Sequence, residues 1–428
     1  MNNNGLNPYQ IFAKNSLPEN WETLFNNQLL NWPEALQTDL NQAWKKAKEI
    51  DFPDRKDESW RWMDFKSLHF DRLMADGNMN RVESQVLHYA NEASEKGTSA
   101  VLPEGVLITT LSKLLNEKPQ LVEKLLVENL TVDDGKFASL ASALASDGLV
   151  IYIPKNVDLE GIYRIKLGLP LENKAFFSRS VIWLERGSKA RVELEIRAET
   201  GSEEGFHNGI MNIFVGENAQ LNLDVKQFFT PGTWNITHEV ARLERDARLE
   251  WNYAVLDAKM SKNFVRTDLL GQGSNALMNG VMFPEESQVI NIETRQNHWA
   301  PSTTSDLLYK TVASQDGRSI WHGMIYVDPK AQQTDAYQSN KNIILDDNAD
   351  IKSIPGLEIH ANDVKCSHGA TVGKIDRDEL FYLQARGIPA KEAEKLIIEG
   401  FFNQVLDYFS LEETRVDLRN RLIERIRH

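Results

Sequence analysis

The chain has 428 residues, of which 41% are hydrophobic and 26% charged, and its formal net charge is −14. This composition is typical of a globular protein with enough apolar material for a core, and the length corresponds to about three domains. The acidic balance argues against nonspecific binding to nucleic acid or to an anionic membrane, since both require a basic surface. One cysteine, no apolar leader and no apolar run of ~18 residues predict a cytoplasmic protein without an intrachain disulfide.

Residues 1–95 are predicted to form an N-terminal helical domain. Apolar residues recur every three or four positions between 21 and 51, and Pro33 marks a helix start or a kink. The aromatic-rich stretch at 58–70, ESWRWMDFKSLHF, is expected to pack a helix against the neighbouring body. Residues 96–148 form a mixed segment, with one predicted strand (106–111) and two predicted helices (120–130 and 136–146).

A repeated motif begins near residue 149, in which a polar turn and a small residue precede alternating apolar positions. Its alanines are Ala190, Ala219, Ala247 and Ala276, so the steps are 29, 28 and 29 residues. A constant period of this size, with strands and short turns inside it, predicts a β-solenoid over the region 96–373. An antiparallel sandwich with coincidental spacing is the alternative.

The stretch at 357–388, LEIHANDVKCSHGATVGKIDRDELFYLQARGI, contains the candidate metal ligands. Val364, Cys366 and His368 fall on every second residue, so they share one face of a predicted strand. Thiolate and imidazole are ligands for iron, zinc and copper. An iron–sulfur cluster usually needs about four ligands, so a partner would have to complete the site. Alternatively, Cys366 and His368 are ordinary core residues, because a lone cysteine often packs as a small hydrophobe.

Residues 374–428 are predicted to form a C-terminal helical domain. Asp376 is the predicted N-cap of its first helix, with Glu379 completing a capping box, and Gly387 ends it. The second helix follows Pro389 and carries two apolar stripes, more than burial on one side requires. Ser410 is predicted to cap a third helix. The residues assigned to partner binding are Ile398, Phe402, Leu406 and Phe409.

Motifs for catalysis are incomplete in this sequence. Residues 369–375 (GATVGKI) are one residue short of a phosphate-binding P-loop and lack its Ser or Thr. His238 and Glu239 form half of a zinc-protease motif, and His298 and His322 each lie beside a tryptophan, which favours structural roles. We therefore expect a non-enzymatic chain that binds no nucleotide. A polysaccharide-active β-helix enzyme and a purely structural β-helix protein are the alternatives.

Four segments resemble the SufB/SufD family of iron–sulfur cluster assembly proteins. They are DRKDESWRWMD (54–64), RQNHWAPSTTSDLLYKTV (295–312), the stretch 327–376 and DELFYLQARGI (378–388). The CSHGATVG run and the chain length are closer to the D subunit, whereas a B subunit would carry more cysteines.

The resemblance implies a fold, partners and a site. The fold would be a right-handed parallel β-helix flanked by the two helical domains. The last β-helix strands would pair with SufB, the C-terminal helices would dock the ATPase SufC, and the isolated chain could form a homodimer. A transient cluster or iron would be shared with SufB, with His368 as the best candidate ligand and Cys366 as a secondary one. No role is transferred to His360.

Overall fold

The computed structural model describes residues 17–426, apart from 66–67, 69, 71–72, 76–82, 95, 127–134 and 199–203. It confirms the predicted class: a mostly β chain with a β-solenoid core and helices towards both ends. None of the helices in the described part of the chain combines the length and apolarity that a bilayer crossing requires.

The N-terminal third mixes helices with short strands. Its helices are α1 (Glu19–Leu29), α2 (Glu34–Glu49), α3 (Leu111–Glu117), α4 (Pro119–Leu126) and α5 (Gly135–Leu144). Its strands are β1 (Met74–Ala75), β2 (Glu83–Tyr89), β3 (Thr98–Ser99) and β4 (Leu107–Thr110). In its described part, the aromatic stretch predicted as helix contains the short 3-10 turn Glu58–Trp60, and Trp60 and Phe65 pack against the body.

Sixteen strands in the described part of the chain build the solenoid, two in each of eight coils. The odd-numbered sheet contains β5 (Leu149–Ile153), β7 (Lys174–Leu184), β9 (Gly205–Val215), β11 (Thr233–Leu243), β13 (Met260–Leu269), β15 (Val289–His298), β17 (Arg318–Val327) and β19 (Asp350–Ile359). The even-numbered sheet contains β6 (Ile162–Leu169), β8 (Lys189–Ala198), β10 (Gln220–Phe228), β12 (Arg248–Leu256), β14 (Asn275–Met282), β16 (Thr304–Ala313), β18 (Thr334–Ile344) and β20 (Val364–Gly373). Within each sheet, successive coils pair in parallel.

Stacked rows of apolar side chains fill the space between the two sheets. One row consists of Val192, Leu223, Trp251, Met278 and Leu307, all fully buried. Because no coil closes its own core, each apolar row becomes dry only when the next coil stacks on it. Burial of such rows therefore makes the coils mutually dependent for stability.

The predicted period is close to the observed one, but the alanines do not form a single row. Leu221 pairs with Ala190 on one side and with Leu249 on the other, and Leu249 pairs with Ala276. The steps along this row are 31, 28 and 27 residues. Ala219 and Ala247 lie two positions before Leu221 and Leu249, because the turns between the strands differ in length.

The N-terminal helices cover the outer face of the odd-numbered sheet. Trp21 of α1 packs edge-on against Phe177 at 5.1 Å, and Phe70 against Phe206 at 5.0 Å. Helices α2 and α5, which lie on either side of the predicted boundary at residue 95, pack on each other within the same cluster. The helical prediction for 1–95 also does not extend to β2, which pairs with β6 as part of the even-numbered sheet.

The C-terminal helices cover the outer face of the even-numbered sheet. They are α6 (Arg377–Ala385), α7 (Ala390–Leu406) and α8 (Glu412–Glu424). The side chain of Asp376 caps α6 by accepting a hydrogen bond from Asp378 N, and Gly387 has the left-handed φ of 88° expected after a helix. Ser410 does not cap α8; its N–H donates to Asp224 at 2.8 Å, and Leu411 holds the N-cap position.

The four residues assigned to partner binding are buried within the chain itself. Ile398, Phe402, Leu406 and Phe409 are each at most 1% exposed and pack with strand residues such as Val281 and Val312. This stripe packs on the apolar outer face of the even-numbered sheet and shields it from water. These side chains therefore attach the helix to its own body, and other residues form its outward surface.

Ion pairs fix α8 to the sheet beneath it. Glu193 accepts hydrogen bonds from Arg164 at 2.5 Å and from Thr414 of α8 at 2.5 Å, and its carboxylate lies 2.8 Å from Lys226 Nζ. All four residues are buried. Removal of the Glu193 carboxylate would take a buried partner from both Arg164 and Lys226, which is costly.

The solenoid interior also contains a buried carboxyl group, that of Glu239. Its Oε1 accepts hydrogen bonds from Tyr253 Oη at 2.5 Å and from Gln227 and Thr237 at 3.2 Å. Burial raises the pKa of Glu239 to about 7, even though the hydrogen bonds from Tyr253 and Thr237 favour the ionised form. The folded chain therefore binds this proton more tightly than the unfolded chain does.

Replacement of Glu239 by Gln should change how stability depends on pH. The stabilisation from the protonated carboxyl is complete below its unfolded pKa of 4.5 and is lost as the pH rises through about 7. Glu239→Gln keeps the accepting oxygen but cannot ionise, so its free energy of unfolding should not show this loss. Between pH 4 and pH 8, the difference in free energy of unfolding between variant and wild type should shift by roughly 3 kcal/mol in favour of the variant. Urea unfolding at both pH values measures this. The exposed-site variant Glu104→Gln is the control, and equal pH slopes in all three proteins would contradict the prediction.

Candidate functional site at the open end of the solenoid

The two ends of the solenoid differ. At the first coil, β4 pairs antiparallel with β5, and β2 pairs antiparallel with β6. At the last coil, β19 pairs with β17 and β20 with β18, and in the described part of the chain no strand pairs with their far sides. One end is thus capped, and the other presents two strand edges.

Backbone hydrogen bonds to the preceding coil show which groups of β19 point outward. Asp350 N donates to Gly317 O at 3.1 Å, and His360 N donates to Val327 O at 2.9 Å, both in the preceding coil. The register between β17 and β19 is continuous, so backbone groups alternate in direction along β19. Every second residue therefore turns its backbone groups towards the open edge: Ile351, Ser353, Pro355, Leu357 and Ile359.

The same reasoning applies to β20. In β18, Asp335 N donates to Thr303 O of the preceding coil at 3.0 Å, and Asp335 is in register with Lys365. Lys365 therefore directs its N–H back to β18, and its neighbours direct theirs outward. The outward set is Val364, Cys366, His368, Ala370 and Val372. Both predicted ligands thus lie on an unpaired edge.

The open end exposes side chains that belong to the core row. Leu357 and Ile359 are in register with Ile325 and Val327, which are fully buried one coil earlier. Leu357, Ile359 and Val372 are instead 36–45% exposed. Large apolar groups that are exposed at the end of a core are typical of a protein interface.

Cys366 lies at the boundary between core and rim. It is in register with Ala336 and packs with Ala361, Ile325 and other buried residues of the last two coils. Burial raises the pKa of the Cys366 thiol, and the Asp335 carboxylate raises it further. The thiol is therefore protonated at neutral pH, and it must lose a proton before it can bind a metal.

His368 is the more accessible of the two donors. It is exposed, and it is in register with the fully buried Gln338 on β18. It shares the strand face of Cys366, about 7 Å further along β20 at the usual rise per residue. Within the described residues, no three His, Cys, Asp or Glu side chains form a group that could hold a metal ion. A multi-ligand centre here would need donors from a second chain.

Two other histidines, His360 and His298, do not join this site. His360 follows β19 on the outer face, where it contacts Tyr326 at 5.7 Å and Glu358 at 3.1 Å. His298 is buried inside, with its two ring nitrogens 2.7 Å from Thr303 Oγ1 and 2.9 Å from Ser305 Oγ. Burial lowers the pKa of His298 to about 4, so it is a neutral structural residue.

The two incomplete motifs are also structural. His238 stacks on Phe264 at 4.6 Å on the outer face of the odd-numbered sheet, whereas Glu239 points into the core. They therefore cannot act on one ligand. The P-loop-like run begins within β20, and its last glycine, Gly373, ends that strand rather than leading directly into a helix.

The sequence did not identify a second surface, on α6. This helix has no buried residue, and Phe381 and Tyr382 are 71% and 55% exposed. Leu396 on α7 is also exposed. The only signal was the weak apolar periodicity of 377–385, which an ordinary surface helix shares.

Comparison with known proteins covers most of the chain. Residues 169–401 match the family model described as "SUF system FeS cluster assembly, SufBD core domain", and residues 20–165 match "SufBD protein N-terminal region". Proteins named "Iron-sulfur cluster assembly SufBD family protein" from Staphylococcus epidermidis, Staphylococcus aureus and Staphylococcus haemolyticus are each 26% identical over 344 residues. These alignments cover 80% of this chain and 72% of each relative.

Proposed function

The chain belongs to the SufBD family of iron–sulfur cluster assembly proteins, and on this premise we propose that it is a non-catalytic scaffold subunit of the D type. In this proposal the open end pairs with a SufB-type paralogue, and the nascent cluster forms where the two chains meet. The family match favours this role over the polysaccharide-active enzyme considered from the sequence.

One observation carries the proposal: Cys366 and His368 sit on an unpaired strand edge with their backbone groups directed outward. A partner strand added to β20 would satisfy those groups. Adjacent strands lie about 5 Å apart, so side chains of the partner would reach the same face as the two donors. The partner strand would then complete the ligand set at the moment it pairs with β20.

The cluster is cargo in this account, and this chain contributes two donors to it. His368 is the primary ligand, because its side chain is exposed and imidazole nitrogen is a common ligand of iron. Cys366 is the secondary ligand, because burial and Asp335 keep its thiol protonated. An incomplete, partly neutral ligand set holds iron less tightly than four thiolates do, which suits a scaffold that must release its product.

Docking of the ATPase SufC is assigned to the C-terminal helices, on different residues from those first expected. The exposed Phe381, Tyr382 and Leu396 replace the buried stripe as the contact surface. Large aromatic side chains are the commonest anchors of protein interfaces. The polar residues of α6, Arg377, Asp378, Glu379 and Gln384, are exposed around them, as in the rim of such an interface.

His368→Ala should lower the yield of cluster on the purified complex several-fold, because it removes the accessible donor. Its melting temperature should stay within about 1 °C of wild type, since the side chain is exposed. Iron and sulfide content and visible absorption after reconstitution measure the yield. Ser367→Ala, on the opposite face of the same strand, is the matched control. Unchanged yield in His368→Ala would remove this residue from the site.

The double variant Phe381→Ala/Tyr382→Ala should weaken binding of the ATPase at least about tenfold without a change in melting temperature. Ile398→Ala should instead lower stability by about 3 kcal/mol, because it opens a cavity beneath α7. Calorimetric titration and thermal melts separate the two effects. Leu30→Ala, an exposed apolar residue on the other side of the chain, serves as the control. Full ATPase affinity in the double variant would exclude this surface.

A further inference from the structure

We infer that Pro355 determines the specificity of the open end, because it weakens pairing with a second copy of this chain and so favours a non-identical partner. The inference rests on the proposed function in that it takes the open end as the interface. It adds a residue with a defined physical role in partner choice.

Pro355 lies at an outward position of β19, where a proline removes no hydrogen bond from the pairing with β17. Proline has no N–H, and the outward residues of β19 do not donate to β17. The ladder between β17 and β19 therefore stays complete. Natural edge strands accept proline at such positions, where it removes a donor that another strand could have used.

The missing donor falls in the middle of the edge. Ile351 and Ser353 supply outward N–H groups on one side of Pro355, and Leu357 and Ile359 supply them on the other. A strand added to β19 thus meets two outward N–H groups on each side of Pro355, which itself offers only its carbonyl. The edge of β20 has no such gap, because none of its five outward residues is a proline.

Symmetry makes this gap more harmful to a homodimer than to a heterodimer. The capped first coil blocks head-to-tail stacking, so two copies would meet end to end about a twofold axis. With the axis perpendicular to the sheets, β19 pairs with β19 of the other copy; with the axis along the strands, it pairs with β20. In both cases the interface contains two copies of Pro355 and so leaves two partner carbonyls without a donor.

A non-identical partner meets the gap once. The occupant that fits is the open end of a related solenoid whose strand opposite β19 is short or bulged at Pro355 and whose strand opposite β20 is continuous. Pairing then concentrates on β20, the strand that carries Cys366 and His368. The open end that selects the partner therefore also fixes the register of the partner strand opposite Cys366 and His368.

The test is sedimentation of the fluorescently labelled full chain over nanomolar to micromolar concentrations. Pro355→Ala restores the outward donor and should lower the dissociation constant for self-association at least about tenfold. Ser353→Ala keeps its N–H and should match wild type. Melting temperatures of all variants are recorded, so that any change in folding is visible.

A second variant separates failure of this inference from failure of the proposed function. Ala370→Pro removes an outward donor from β20 and should weaken binding to the co-expressed SufB-type paralogue at least about tenfold. If Ala370→Pro weakens that binding while Pro355→Ala leaves self-association unchanged or weaker, the role of Pro355 is overturned and the interface stands. If Ala370→Pro binds the paralogue like wild type, the open end is not the interface, and both proposals fail.

Discussion

Each strand of the solenoid needs a neighbour on both sides, and among the described strands the last coil has a neighbour on only one side. Earlier coils satisfy their backbone groups and bury their apolar rows through the coil that follows. At β19 and β20 the same geometry leaves unpaired donors, unpaired acceptors and exposed core residues such as Leu357. Unpaired edges of this kind are usually blocked or covered in natural proteins. Here the edge carries the chain's single thiol, and in the proposed function a partner strand covers it.

The helices direct association to that end by covering the broad faces of the solenoid. Aromatic packing holds the N-terminal helices on one sheet, and the buried charges around Glu193 hold α8 on the other. Helix α7 is tied to β16 by Lys310, whose Nζ donates to Phe401 O and Gln404 Oε1, both at 2.5 Å. Since β16 pairs with β18 and β18 with β20, the proposed ATPase surface is connected to the open edge through two strand pairings.

Much of the architecture was predictable, because repetition and alternation leave a direct signal in sequence. The period near 29 residues indicated the solenoid, and the spacing of Cys366 and His368 indicated their shared face. Residues that depend on packing partners were not predictable. The stripe at Ile398 is apolar whether it meets its own sheet or another protein, and β2 is a strand because β6 offers it an edge. The outward direction of Pro355 depends on the pairing register, which a single strand does not reveal.

Amide hydrogen exchange across residues 350–373 decides whether the open end is the partner interface. We expect Val364, Cys366, His368, Ala370 and Val372 to exchange rapidly in the isolated chain and at least about tenfold more slowly in the complex with the SufB-type paralogue. The alternate residues of β20, which already donate to β18, should change little. Unchanged exchange at the outward amides of a stable complex would contradict the account, because the partner would then be bound elsewhere.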